Sequence, residues 1–247
     1  DEVTLLRRAS FVLTGLAPTP GELDEFLADS REGAYQRAVD RMMSSPHFGE
    51  NWARHWMDVA RYGESKAFEN DYVMPHTWRY RDYLVRAFNE DVPYDQFVRE
   101  ALAGDLLEHP RINPGTGCNE SVAGPGFLHL ADGHHGVTDL HEDEARVIDS
   151  MINVVGTAFH GLTISCARCH DHKFDAITDE DYYSLYGMFR SSRLHYANVA
   201  ESNWSAERSR ELRSAHGDVV KATVKSAAAQ AGKLEEAIAK VRKLAEN

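Results

Sequence analysis

Three features are scarce in this chain of 247 residues, and each shortage narrows what the protein can be. No run approaches about 18 consecutive apolar residues, so the sequence predicts no membrane-spanning helix. Basic residues number 27 against 39 acidic ones, and the formal charge of −12 argues against nucleic acid and anionic membrane surfaces as partners. Cysteine occurs only three times, which by itself leaves the redox compartment open.

Two of the three cysteines form the most informative pattern of the chain. Residues 165–175 read SCARCHDHKFD, and Cys166, Cys169 and His170 make the C-x-x-C-H arrangement that attaches a c-type haem. Two thiols at this spacing can add to the two vinyl groups of one porphyrin, and the adjoining imidazole can then bind the iron as its proximal ligand. The sequence therefore predicts one covalently attached haem c, with His170 as an iron ligand.

Two other chemistries can use the same residues. Cys166, Cys169 and two histidines, such as His170 and His172, can make a tetrahedral zinc site, although a second cysteine pair is missing and Cys118 is far away in a Gly- and Pro-rich stretch. Alternatively, the two thiols can form a redox pair or a disulfide, which leaves the His-x-His sequence without a role. Both alternatives stay open beside the haem.

The neighbours of the motif are candidates for supporting roles. His172 is too close to His170 along the chain to reach the opposite face of the same iron, so it is expected to meet a haem propionate or a neighbouring carboxylate. Arg168, between the cysteines, joins His172 in the predicted cofactor-binding set. Asp171, Lys173 and Asp175 either hold the loop by hydrogen bonds or form a solvated polar turn.

The second axial ligand of the iron is less clearly marked. Bis-His or His/Met ligation favours electron transfer, whereas an open sixth position would indicate catalysis or sensing. His141 is the predicted distal ligand, because it lies in a long loop just before the helix that leads back to the motif. The other candidates are His55, His134, His135, Met57, Met74 and Met151.

Helical periodicity dominates the chain and predicts a mainly α fold in which helices bracket the haem loop. Thr19 and Glu22 predict a capping box, and Thr178 predicts the start of the helix that follows the motif. Residues 109–142 are rich in Gly, Pro, Asn and His and predict a long ordered loop, with residues 127–130 at best a short extended piece. The helical spacing covers segments 19–27, 34–42, 52–59, 78–88, 97–102, 147–158 and 178–189.

The C-terminal part differs in character. Beyond about Ser205, apolar residues recur in alternating steps of four and three, which is the seam of a coiled coil. The seam residues are Val220, Val224, Ala227, Ala231, Leu234, Ile238, Val241 and Ala245. The sequence thus predicts a helical cytochrome c-like domain over 1–204 and a long amphipathic helix over 205–247, in which residues 218–245 pair with a partner helix. A solitary solvated tail is the alternative.

A group of aromatic and arginine residues lies upstream of the motif. Arg61, Arg79 and Arg81 can pair with haem propionates or with a substrate carboxylate, or else form surface ion pairs beside core tryptophans. The tryptophans concerned are Trp52, Trp56 and Trp78. Glu64, Glu69 and Asp71 are weaker candidates for an acid/base pair, since spacing alone cannot place two carboxylates across a glycosidic bond.

Several short segments carry a resemblance to a known family. They are residues 7–8, 13–16 and 18–20, the runs SPHFGE at 45–50, WARHWMD at 52–58 and WRYRDY at 78–83, PYD at 93–95, the motif run 161–175, and DYY at 181–183. On these residues the chain resembles the planctomycete cytochrome c-like family, domain of unknown function 1549, over about residues 3–195. Ala176 departs from the family pattern, which usually has proline there, without touching a ligand. The resemblance implies a secreted, multidomain, haem-bearing protein, often encoded near sulfatases and other polysaccharide-degrading enzymes.

Two functions follow from these observations. The first is electron transfer by one haem c to or from attached domains or a redox partner protein. The second is a haem- or metal-dependent enzyme that acts on a carbohydrate-related or other small substrate in a pocket roofed by residues 109–142. Because haem is attached to C-x-x-C-H outside the cytoplasm, as the resemblance also implies, we expect a periplasmic or extracellular protein with an export signal upstream of Asp1.

Overall fold

The computed structural model describes residues 1–65, 73–130, 137–193, 214, 217–226, 228, 229, 231 and 232. The mainly α prediction is confirmed, and within these ranges there is no β-strand, only the isolated bridges Ser65 to Val73 and Ile112 to Asn119. The α-helices are α1 (Glu2–Thr14), α2 (Pro20–Ala28), α3 (Ala34–Met43), α4 (Pro46–Val59), α5 (Trp78–Asn89), α6 (Tyr94–Ala103), α7 (Leu140–Val155) and α8 (Asp179–Arg190). Shorter pieces are a 3-10 helix (Ser121–Leu130), a π turn (Gly156–His160) and a 3-10 turn (Ile164–Arg168). None of the helices described is long and apolar enough to cross a bilayer.

Five of the eight α-helices described, α1, α2, α4, α7 and α8, begin at a residue whose side chain caps the helix. The predicted capping box at Thr19 and Glu22 is confirmed, since each side chain accepts a hydrogen bond from the other residue's backbone N–H. Thr178 and Asp181 form the same arrangement at the start of α8. These caps satisfy N–H groups that have no partner within the helix, so they define where α2 and α8 begin.

The buried side chains form three clusters. The first lies between α1, α2 and α3, and the main core lies between α4, α5, α6, the 3-10 helix and the end of α7. The third cluster comprises Ile148, Ile152, Ala167 and Tyr182 and joins α7 and α8 to the 3-10 turn that contains the first cysteine. Partly buried Phe189 packs against both the main core and the third cluster, so the motif segment is anchored to the body of the fold.

A buried carboxylate fixes the 3-10 helix to α6. Glu100 is fully buried and accepts hydrogen bonds from Tyr83 at 2.8 Å, Ser121 at 2.9 Å and Arg111 at 3.2 Å. The Arg111 guanidinium holds the pKa of Glu100 below its usual value despite the burial, which acts in the opposite direction. Gly124 is needed beside this network, because a Cβ there would lie 2.2 Å from the backbone oxygen of Glu100.

The expectation of a loop over 109–142 is partly wrong. Residues 127–130 are not extended; they end the 3-10 helix, with Phe127 buried in the main core. Helix α7 also begins earlier than the periodicity indicated, because the Asp139 side chain accepts hydrogen bonds from the backbone of His141 and Glu142. His141 therefore lies in the first turn of a helix and not in a loop.

The C-terminal segment is described only in part. Residues 217–226 are helical, and Val219, Val220 and Val224 are exposed. Most of the other seam positions lie outside the described residues, as do 194–213. The partner helix and the domain boundary near 205 stay predictions.

Candidate functional site

The C-x-x-C-H motif lies in the segment between the π turn and α8, residues 161–178, here called the motif loop. Its backbone is anchored at Ala167, which is fully buried in the third cluster. The residues on either side of this anchor turn outwards, and Cys166, Cys169 and His170 are all exposed. Both cysteines are free thiols. The loop thus presents two thiols and one imidazole on the surface of a segment whose centre is fixed in the core.

Asp149 of α7 holds the first half of the motif loop. One carboxylate oxygen accepts a hydrogen bond from the buried Tyr182 hydroxyl at 2.8 Å, and the other accepts from the Arg168 guanidinium at 3.0 Å. Burial and then the hydrogen bond to Asp149 raise the pKa of Tyr182, so its hydroxyl keeps its proton and stays a donor. The neighbouring Cys169 and then Asp149 raise the pKa of Arg168. A series of polar contacts therefore leads from the core to Arg168, the residue that precedes the second cysteine.

Helix α8 holds the second half of the loop. The Tyr183 hydroxyl donates a hydrogen bond to the backbone oxygen of Arg168 at 3.1 Å. The carboxylate of Asp171 accepts from the backbone N–H of Asp179 at 3.1 Å, at the first turn of the helix. An acidic side chain is favoured there because helix N-termini carry unsatisfied N–H groups and a partial positive charge.

His172 closes the loop, and the contacts of its two ring nitrogens indicate its tautomer. Its Nδ1 accepts hydrogen bonds from the backbone N–H groups of Asp175 at 2.9 Å and Phe174 at 3.3 Å, so this nitrogen carries no proton. The proton is therefore on Nε2, which donates to the Thr163 hydroxyl at 3.1 Å. The side chain is only 7% exposed. Both ring nitrogens are used within the loop, which gives His172 a structural role.

The contacts of His172 bear on its predicted partners. The neighbouring carboxylate is that of Asp175, with one oxygen 3.2 Å from Nδ1. Because Nδ1 accepts backbone hydrogen bonds, it has no proton to share with this carboxylate. Contact with a haem propionate stays a prediction.

His170 has the opposite arrangement. Its Nδ1 lies 2.7 Å from the backbone oxygen of Asp171, and because a carbonyl only accepts, Nδ1 carries the proton. In the neutral ring the lone pair is then on Nε2, and the residue is exposed. A carbonyl partner on one ring nitrogen is the arrangement that orients metal-binding histidines and increases the basicity of the other nitrogen.

The motif loop supplies the donor types that a c-type haem requires. A haem needs two thiols and one imidazole from the motif, and each of the three residues is exposed. A structural zinc site needs four donors, and His172, one of the histidines proposed for it, already uses both ring nitrogens within the loop. The free thiols also leave the dithiol alternative chemically possible.

The other predicted residues lie away from the motif loop or outside the described ranges. His141 is exposed at the N-terminal end of α7, and its role as distal ligand stays a prediction. Arg61 donates to the Ser150 hydroxyl of α7, Arg79 stacks on exposed Trp78, and Arg81 forms surface ion pairs with Glu64 and Asp82. Of Trp52, Trp56 and Trp78, only Trp56 packs against the main core, where it donates a hydrogen bond to Tyr80. The candidates Glu69, Asp71, His134 and His135 lie outside the described residues.

Sequence reasoning missed the residues that position the motif. Asp149 and Tyr182 are separated by 33 positions along the chain, so no local pattern links them. One signal was available, since Asp149 follows buried Ile148 on a helix that leads to the motif. A carboxylate next to the apolar face of such a helix needs a partner, which indicates a polar contact across the core.

Comparison with known proteins gives one finding. The family model PSCyt2, described as a protein of unknown function (DUF1549), matches residues 1–194 and so includes every contact of the motif loop described above. No curated protein and no solved structure matches the chain. Since the matched residues make up most of its length, the chain belongs to the PSCyt2 (DUF1549) family.

Proposed function

We propose that this chain is a c-type haem protein that transfers electrons within a larger extracytoplasmic protein or complex. The observation that carries the proposal is the hydrogen bond from His170 Nδ1 to the Asp171 carbonyl, beside two free and exposed thiols. Cys166 and Cys169 would hold the haem through thioether bonds, and Nε2 of His170 would bind its iron. When bound, the haem supplies a one-electron Fe(III)/Fe(II) couple.

The surrounding residues prepare the loop for attachment. Asp149 holds the side chain of Arg168 and Tyr183 holds its backbone, while His172 closes the loop after the second cysteine. A site held in this way needs little rearrangement on binding, so less of the binding free energy is lost to ordering the chain.

The exposure of the motif favours electron transfer over an enzyme. A haem enzyme that acts on a small substrate needs a concave site that excludes water. Cys166, Cys169 and His170 instead lie on the surface, where the edge of a bound haem can approach a partner protein. Attachment of haem to C-x-x-C-H also supports the periplasmic or extracellular location, which fractionation of cells producing the full-length protein would test.

Attachment is tested by denaturation. Thioether bonds survive unfolding, so protein made in a host with haem-attachment machinery should keep its haem through acid–acetone extraction. Replacing both Cys166 and Cys169 with alanine should abolish retention, whereas the control Cys118→Ala should not. A colourless wild-type protein with one equivalent of zinc would refute the haem and favour the metal site.

Ligation is tested by absorption spectroscopy. An electron carrier with two strong axial ligands should be low-spin in the ferric state and indifferent to added cyanide. If His141 is the second ligand, His141→Ala should become high-spin, while the control His109→Ala, also exposed, should keep the wild-type spectrum. A high-spin wild type that binds cyanide readily would support the haem enzyme instead.

A further inference from the structure

The surface around the motif has an exposed apolar centre. Phe174, four residues after His170, is 84% exposed, and its ring contacts the Lys173 ammonium 5.2 Å from the centroid. Tyr183 is 54% exposed and bonds to the Arg168 backbone, so this face of α8 lies beside the motif. Large apolar side chains that stay exposed next to a reactive site are typical of an interaction surface.

The charges around this centre are almost all negative. From 171 to 181 the chain has five carboxylates and one lysine, and all six side chains belong to exposed residues. Asp179 and Glu180 precede Tyr183 by four and three positions, so the three side chains share one face of α8. The Arg168 guanidinium is paired with Asp149. The acidic residues concerned are Asp171, Asp175, Asp179, Glu180 and Asp181.

We propose that this acidic surface, residues 171–183 together with the exposed motif side chains, docks a redox protein whose own electron-exchange face is basic. The inference rests on the proposed function and adds the class of partner. An apolar centre with a charged rim is the usual composition of small transient interfaces, and the sign of the rim selects the partner. Anionic partners would be repelled by the same carboxylates. With haem bound to the motif, the reduced haem would give one electron to an oxidised partner, which would be reduced by one electron.

The first test needs no haem. Hexaamminechromium(III) is a paramagnetic, redox-inert trication, and at low ionic strength it should broaden the amide NMR signals of residues 171–183 before others. The variant Asp179→Asn with Glu180→Gln should weaken the broadening roughly tenfold, since two carboxylates near a trivalent ion are removed. The matched control Asp24→Asn with Glu32→Gln removes the same charge from exposed positions in α2 and in the connection from α2 to α3, and it should leave the broadening unchanged. Broadening spread evenly over the surface would overturn the proposal.

The second test uses reduced, haem-bearing protein. Hexaammineruthenium(III), a cation, should oxidise it at least about tenfold faster than hexacyanoferrate(III), after correction for driving force, at roughly 0.01 M salt, where screening is weak. The difference between these two oxidation rates should shrink in the Asp179/Glu180 variant and at high salt, but not in the Asp24/Glu32 control variant. With a lysine-rich cytochrome c as the protein probe, Phe174→Ser should slow electron exchange several-fold without changing the rate with the ruthenium ion.

The outcomes separate this inference from the proposed function. A protein that retains no covalent haem overturns both. Two results with haem-bearing protein would overturn the docking surface alone. One is an equal rate with the two ions after the driving-force correction, and the other is a rate with the protein probe that neither the Asp179/Glu180 variant nor Phe174→Ser changes.

Discussion

Removing the hydroxyl of Tyr182 tests whether the motif loop is fixed to the core through Asp149. The side chain is 1% exposed, and its hydroxyl donates at 2.8 Å to a carboxylate. Phenylalanine keeps the ring in its cluster, so Tyr182→Phe removes one hydrogen bond to a charged group and little packing. Such bonds contribute about 1.5–3 kcal/mol to the free energy of unfolding.

The neighbouring tyrosine is the matched control. Tyr183 also donates one hydrogen bond, at 3.1 Å, but its acceptor is a neutral carbonyl and its side chain is 54% exposed. Tyr183→Phe should therefore cost no more than about 0.5–1 kcal/mol. At about 2–4 °C per kcal/mol for a domain of this size, Tyr182→Phe should lower the Tm by roughly 3–12 °C.

Urea unfolding followed by far-UV circular dichroism gives both free energies. The midpoint should fall for Tyr182→Phe at an unchanged m-value, because the surface exposed on unfolding stays the same. If Tyr182→Phe lies within about 0.5 kcal/mol of the wild type, or costs less than Tyr183→Phe, the bond to Asp149 does not anchor the loop.

Three further predictions concern the fold. Gly124→Ala should lower the free energy of unfolding by about 3 kcal/mol or more, because its Cβ would lie 2.2 Å from the backbone oxygen of Glu100. The control Gly187→Ala, which has open space on α8, should raise it by about 0.5–1 kcal/mol. Thermal unfolding compares the two variants, and equal Tm values would contradict the close packing at Gly124. Thr178→Ala should lose about 1 kcal/mol in urea titrations by removing the cap of α8, and an unchanged midpoint would show the cap to be dispensable. Burial raises the pKa of Tyr83, so the stability that its neutral hydroxyl contributes is complete below about pH 10 and is lost as the pH rises towards the folded pKa. Between about pH 9 and about pH 11, the urea midpoint should therefore fall less in Tyr83→Phe than in the wild type.

The α-helices could be predicted because their information is local. Apolar spacing and capping residues such as Thr19 and Thr178 act within a few positions, and the structure follows them closely. The 3-10 helix could not be predicted in this way, since it lacks the 3.6-residue period. Its stability comes from contacts distant in sequence, among them the bond from Ser121 to Glu100 across 21 positions.

The candidate site likewise contains residues that a local pattern reveals and residues that only the folded structure brings to it. Cys166, Cys169 and His170 are adjacent in sequence, so their pattern alone indicates the chemistry. The role of His172 depended on its tautomer, which the backbone of Asp175 determines only once the loop is folded. Asp149 became part of the site only through a helix pairing that no single segment encodes.

The direction in which the motif loop leaves α7 depends on the number of residues in the π turn at Gly156–His160. Its wider winding accommodates one residue more than an α-helical turn, and Phe159 packs there against Trp56 and Phe127 of the main core. Deleting one residue from this turn would leave an ordinary α-helical turn with a similar rotation, so the chain after it would keep its direction relative to α7. Inserting a residue, which the turn has no further winding to absorb, would rotate everything after it by about 100° and take Ala167 out of its cluster. The segment should therefore tolerate the loss of one residue better than the gain of one.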